Sequence, residues 1–160
     1  MNNKKEITPQ TIAKYFLSKE QLTPKRAQKL VYYAYAWFIT LNNEDENNIK
    51  NKLFDESPEA WMHGPVFRSL YEEYESHGWK PIKKEKTIPK IIADNKDLKV
   101  FLERIWELFG KYDADALEYM SHQEDPWKKA RIEEKSVKSK KNQISDSEIF
   151  RYYNALAERH

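Results

Sequence analysis

The stretch from Thr23 to Leu41 constrains this chain most. Thr23-Pro24 is a helix start: the hydroxyl can accept from an amide of the first turn, and proline presets the first helical φ. Behind it Ala27, Leu30, Val31, Ala34, Phe38 and Leu41 recur with i, i+3, i+4, i+7 spacing. Tyr32, Tyr33, Tyr35 and Trp37 extend the apolar surface around the same helix. A helix apolar on so many sides must be wrapped by other elements. The spacing therefore predicts a central helix in a helical protein.

Further helix signals follow along the chain. Thr8-Pro9 repeats the start signal before Ile12, Ala13, Phe16 and Leu17. The polar run from Asn42 to Lys52 reads as a loop. Leu53-Phe54 and Ala60-Trp61 flank a segment, Asp55 to Glu59, suited to a short extended or turn structure. Pro65 is expected to open a third helix with Val66, Phe67, Leu70, Tyr71 and Tyr74 on one face, stopped by Gly78. Trp79 to Lys90 carries two prolines and reads as a loop with room for a short strand. Asp94 or Asn95 caps a helix bearing Leu98, Leu102, Ile105, Trp106 and Phe109, ended by Gly110. Asp113 caps a shorter one through Leu117 and Met120. Asp125-Pro126-Trp127 starts another, which runs on into Lys135 to Lys141. Ser145 and Glu148 form a capping box, with Ile144 and Ile149 as its hydrophobic staple. The last helix then buries Ile149, Tyr152, Tyr153 and Leu156. The expectation is a mainly α fold: one domain over residues 1–160, core about 8–156, with about six or seven helices. A minor β element is expected near residues 53–61 or 79–90.

Composition narrows the function classes. The chain has 160 residues, no cysteine and only three glycines. Disulfides and thiolate metal sites are excluded, and a nucleotide-cradling loop has little glycine to work with. No apolar run approaches the ~20 residues of a membrane helix, and Met1 to Glu6 is polar, so a cytoplasmic protein is expected. Charged residues make up 34% of the chain, yet the net charge is only +2. The charges are nevertheless blocked. Lys80 to Lys90 holds five lysines against Glu85, and Lys128 to Lys141 holds seven basic residues against Glu133 and Glu134. Asp113 to Asp125 holds five acidic residues and no basic one. Such blocks can steer a charged partner, or simply keep a face solvated.

No spacing marks an enzyme. His63, His77, His122 and His160 form no metal-ligand pattern. Carboxylates are plentiful, but none is singled out as one of a pair at catalytic separation. Neither catalytic residues, nor a metal, nor a cofactor is expected. Lys25, Arg26, Gln28 and Lys29 at a helix start resemble the opening of a DNA-recognition helix. The same helix then becomes too apolar to lie in a groove, and nucleic acid is not expected as the main partner.

Two knots remain: Glu59-Ala60-Trp61-Met62-His63-Gly64-Pro65-Val66, and Ser121-His122-Gln123-Glu124-Asp125-Pro126-Trp127. Trp61, Gly64, Pro65, Asp125, Pro126 and Trp127 read mainly as fold supports. Met62, His63, Phe67, Arg68 and Tyr71 lie on or just before one expected helix start and are the candidate partner-binding patch.

In order along the chain these motifs resemble the Panacea domain, the SocA-like antitoxin or phage-associated GepA-like family. Ile12 to Phe16 resembles its first helix. Thr23 to Ala34, with Gln28, Lys29, Leu30 and Tyr32, resembles its QKL segment. Leu53-Phe54 with Ala60, Trp61, Gly64, Pro65 and Val66 resembles its central core. Leu117 to His122 with Pro126 and Trp127 resembles its closing motif, and Ile149 to Leu156 its last helix. Phe67-Arg68 departs from the aliphatic residue and proline that often follow the glycine-proline-valine, and the 42–52 loop is long. Coverage is about Thr8 to Leu156.

The resemblance implies an antitoxin-type protein of a toxin–antitoxin system, often prophage-linked. Such a protein neutralises a cognate toxin, encoded next door, by direct contact. It implies no enzyme activity, no cofactor and no membrane partner. The alternatives are a DNA-binding autoregulatory module, or an adaptor that delivers the toxin to a protease. A surplus of aromatics over what a small core requires points the same way, toward a sticky binding surface.

Overall fold

The computed structural model describes residues 6–134 and 142–159. Helix α1 (Pro9–Leu17) starts at Thr8, whose hydroxyl accepts from the Thr11 N–H while Thr11 returns the bond to the Thr8 amide, each at 3.2 Å. Helix α2 (Pro24–Leu41) starts at Thr23, which accepts from Arg26 N–H at 3.3 Å. Both threonine-proline signals thus act as the sequence implies, satisfying amides that a helix start leaves unpaired.

The remaining elements enclose α2. They are strands β1 (Glu59–Trp61) and β2 (Gly64–Val66), and helices α3 (Arg68–Tyr74), α4 (Lys90–Ala93), α5 (Lys96–Phe109), α6 (Ala114–His122), α7 (Asp125–Glu134) and α8 (Asp146–Glu158). Helix α2 touches α1, α3, α5, α6, α8 and β2. Twelve of its residues are buried, including Tyr32, Tyr33, Tyr35 and the polar pair Gln28 and Lys29. Among the described residues there are eight α-helices rather than six or seven; the addition is the four-residue α4. Its presence divides the work at the 94–95 junction. Asp94 ends α4, and Asn95 starts α5 by accepting from Leu98 N–H at 3.1 Å.

One expected helix start is wrong. Pro65 does not open a helix; it sits in β2, opposite Ala60, in an antiparallel hairpin whose register also pairs Glu59 with Val66 and Trp61 with Gly64. Pro65 lacks an N–H, and a strand tolerates that only where no ladder bond is needed. The pairing meets this condition, because the Ala60 N–H points away from Pro65 and donates to Asn142 O at 2.8 Å. Helix α3 begins three residues later, at Arg68. The β element near 53–61 is therefore real, and Ile144 N–H donating to Pro58 O at 2.8 Å adds residues 142–144 to its outer edge. In the 79–90 loop, Ile82 and Leu22 exchange backbone bonds as an isolated bridge.

Gly78 ends the short 3-10 turn Glu75–His77 in left-handed backbone, φ 57. Ser145 caps α8 by accepting from Glu148 N–H, with Ile144 and Ile149 buried beside it. The basic run Lys135 to Lys141 lies outside the described residues.

The tyrosines are spent on the core. Tyr15, Tyr32, Tyr33, Tyr35 and Tyr153 are all fully buried. Tyr33 and Tyr153 donate to Glu124, the latter at 2.5 Å, tying α2 and α8 to the α6–α7 junction. Tyr35 donates to Asp146 at the start of α8. The aromatic surplus read from composition is thus largely consumed inside the fold. No helix among the described residues is long and apolar enough to cross a membrane.

Candidate partner-binding site

The two sequence knots meet in space. Gln28 and Lys29, adjacent on α2, both reach the β2–α3 segment. Gln28 accepts from Phe67 N–H at 2.9 Å and donates to Phe67 O at 3.0 Å. This reciprocal pair satisfies the backbone at the point where strand turns into helix, where α3 has no side-chain cap of its own. Lys29 donates to Pro65 O at 3.1 Å. Its ammonium is fully buried, and burial pushes its pKa down to about 7.

Gly64 is what lets Lys29 lie there. Its φ is +110, and a Cβ at this position would stand 2.5 Å from Lys29 Cε and 3.1 Å from Ser121 Oγ. Only glycine combines that backbone with that clearance. Ser121, from the second knot, is itself fully buried.

The second knot grips β1. Trp127 donates from its indole to Trp61 O at 2.8 Å, and Arg131 donates to Ala60 O at 3.1 Å. His122 stacks on Trp127 with ring centroids 4.1 Å apart. Burial holds the His122 pKa below its ordinary value, and its Nε2 is buried without a hydrogen-bond partner among the described residues. Pro126 is buried at the start of α7. Leu30, Tyr32 and Ala60 are buried, and Val66 nearly so. These family-motif residues hold the hairpin from both sides.

The hairpin's outer face is the candidate site. Trp61 donates to the buried Glu59 at 2.9 Å, Arg68 pairs with the same carboxylate at 2.9 Å, and the guanidinium lies over the Trp61 ring at 5.3 Å. Tyr71 packs beside Trp61 with centroids 4.9 Å apart. Met62 at the hairpin turn is 68% exposed and Tyr71 42%. Of the five candidate contacts, Arg68 and Tyr71 both pack on Trp61, His63 and Tyr71 line one groove, and Met62 is exposed at the turn. Phe67 is not: it is completely buried against Tyr35 and Phe54 and cannot touch a partner. The error follows from placing the helix start at Pro65; starting α3 at Arg68 rotates Phe67 inward.

Beside this face runs a groove of about 560 Å³ between α2, the hairpin, α3 and α6. Trp61, Val66, Leu70, Tyr71 and Trp79 supply apolar wall, and Lys25, Lys29, His63 and Glu118 supply charge or polarity. Glu118 pairs with Lys25 and, at 3.1 Å, with His63. Burial raises its pKa, but hydrogen bonds from Lys25 and His63 prevail and leave it below the ordinary carboxylate range. Trp79, 90% exposed, was not among the candidate residues. A tryptophan beside Gly78, in a polar loop with no periodic partner, was the available signal. Lys25 and Glu118 carried none.

The helix start that resembles a DNA reader is already engaged. Lys25 pairs with Asp115 and Glu118; Arg26 pairs with Glu20 and donates to Tyr112 O; Gln28 and Lys29 are buried. Among the described residues no group of three or more His, Asp or Glu side chains is placed to hold a metal ion.

The family model described as antitoxin SocA-like, Panacea domain, matches residues 27–128 of this chain. That span contains the Gln28–Lys29 pair, the hairpin, the groove walls other than Pro24 and Lys25, and Trp127. No curated protein and no solved structure matches the chain.

Proposed function

Because this chain belongs to the SocA-like antitoxin family of Panacea domains, which matches more than half of its length, we propose that it neutralises a cognate toxin protein by binding it directly. The toxin is expected from the adjacent gene, in a system of prophage type, and the complex forms in the cytoplasm. The protein acts as a binding module and not as an enzyme.

The observation that carries this reading is the rigid exposed face on the hairpin. His63, Tyr71 and Trp79 line one groove, and the exposed Met62 and the Arg68 guanidinium over Trp61 lie on the hairpin and helix start beside it. Aromatic and arginine anchors of this kind carry the binding energy in protein interfaces. The backbone beneath them is fixed by Gln28, Lys29, Trp127 and Arg131, so little ordering is required when a partner arrives. A stable complex would bury ~1,200–2,000 Å² in total, and this face would form its centre.

Co-expression tests the reading. The neighbouring open reading frame should arrest growth alone and lose its toxicity when this protein is present, and the two should co-purify. Unrelieved toxicity with both proteins soluble would refute neutralisation by binding. Toxin half-life then separates occlusion from delivery to a protease, because only delivery shortens it.

A further inference from the structure

Lys29 does more than the hairpin requires. An ammonium has three N–H donors, yet among the described residues its one acceptor is Pro65 O, at 3.1 Å. The side chain is 1% exposed and borders the floor of the 560 Å³ groove. A buried cation so sparsely paired calls for an anion. Glu118, the carboxylate whose charge acts on Lys29, is already paired with Lys25 and His63. Lys25 stands one turn before Lys29 on the same edge of α2, but its ammonium is already paired with Asp115 and Glu118, so the unmatched charge on that side of the groove is that of Lys29.

The walls set the rest of the ligand. Trp61, Val66, Leu70, Tyr71 and Trp79 offer apolar contact. The groove's neutral polar groups are largely matched to one another: Gln28 to Phe67, Pro65 O to Lys29, and the Trp61 indole to Glu59. A peptide strand running through would bury its own N–H and C=O groups without partners. A chain end avoids this, since its last residue brings a carboxylate and a side chain on one carbon. The volume suits such a short terminus.

We propose that this groove captures the C-terminal carboxylate of the bound toxin, directing it to Lys29 and laying an apolar terminal side chain against Trp61, Tyr71 and Trp79. The proposal rests on the toxin-binding reading and names the part of the toxin that is read.

The test uses the full-length chain and tryptophan fluorescence. The probes are acetyl-Gly-Ser-Gly-Ala-Val-Leu as the free acid, its C-terminal amide, and an amidated hexapeptide with an internal glutamate between leucines. The free acid should bind at least ten-fold more tightly than the amide. Lys29→Met should erase that difference, and Trp79→Ala should weaken both peptides alike. Equal affinity of acid and amide, tighter binding of the internal glutamate peptide, or no binding of any would overturn the proposal. The acid–amide comparison needs no variant, so it stands even if Lys29→Met fails to fold. A second arm replaces the last six residues of the neighbouring gene's product with a Gly-Ser repeat. Undiminished capture of that variant overturns the groove proposal alone; failure to capture the intact toxin overturns the toxin-binding reading instead.

Discussion

Gly64 and Lys29 form one device, and a single methyl group tests it. Gly64→Ala places a side chain at φ +110 and 2.5 Å from Lys29 Cε. The backbone strain alone costs about 1–3 kcal/mol, and Lys29 must also leave Pro65 O. The urea midpoint should fall with the m-value unchanged; an unchanged midpoint would mean the hairpin does not need glycine. The buried titrating groups give a second prediction. Burial raises the Glu124 pKa from 4.5 to about 7, although bonds from Tyr153 and Tyr33 oppose this. Between those values the folded protein binds more protons than the unfolded chain, so this contribution to stability falls as pH rises. Lys29 is the reverse case, with 10.5 lowered to about 7. From pH 7 to 10.5 the unfolded chain binds more protons, and stability rises. Each limb is limited to about 1.4 kcal/mol per pH unit. His122, held below 6.5 by burial, works against the falling limb just below that pH. Variants isolate the two groups: Glu124→Gln should flatten the profile between pH 4.5 and 7, and Lys29→Met should flatten it between 7 and 10.5. Denaturation across pH with parent profiles that keep their shape in both variants would contradict the assignment. Gly64 read as a fold support in sequence, but its contact with Lys29 and the burial of the titrating groups were not legible there. Gln28 and Lys29 read as the polar start of a core helix, because nothing in a one-dimensional pattern says that a lysine is walled in by a segment 36 residues away.

At the scale of elements, most helices were readable and the hairpin only in part: a β element was expected near 53–61, but its second strand was read as a helix start. Threonine-proline and serine starts, Asn95, Asp113 and Gly78 act locally, within one turn, and the chain announces them. Pro65 was misread because its two environments, first helical turn and unbonded strand position, both forgive a missing N–H. Only the partner strand decides between them, and Ala60 lies five positions back with its own amide committed to Asn142. The join between β2 and α3 is therefore a tertiary product, and its keystone is Gln28. Gln28→Ala would leave the buried Phe67 N–H unpaired, while Phe67 O keeps the Tyr71 N–H at 3.0 Å. A buried N–H left unpaired costs about 1–3 kcal/mol, so a loss of that size is expected, with amide exchange quickening first at Phe67 and along α3. Gln28→Glu keeps the acceptor for Phe67 N–H and should recover part of the loss. Equal stability of the alanine variant and the parent would remove Gln28 from its structural role.

For the whole molecule, the division between scaffold and face makes the strongest demand. Sequence reading chose Met62, His63, Phe67, Arg68 and Tyr71 for their place at one expected helix start; Met62 and Tyr71 are exposed and Phe67 is buried, and much of the aromatic surplus lies in the core. Of the large apolar side chains left exposed, Met62, Tyr71 and Trp79 lie at the hairpin turn, on α3 and in the loop after it, while Leu41, Val100, Leu108, Tyr119 and Ile132 are scattered elsewhere. Positions that hold the fold and positions that meet a partner should then separate experimentally. Trp79 is 90% exposed, and its side chain supports nothing beneath it. Trp79→Ala should leave the melting temperature within about 2 °C of the parent, as surface changes of under ~0.5 kcal/mol do. In co-expression it should nevertheless restore toxin activity, because loss of an aromatic anchor at an interface centre costs about 2 kcal/mol or more. That corresponds to at least a ten-fold weaker complex. Trp127→Phe is the counterpart. It loses the indole bond to Trp61 O and should lower the melting temperature, while protein that remains folded at low temperature keeps most of its affinity. If the two variants exchange behaviours, the face lies on the Trp127 side of the hairpin and the groove is scaffold.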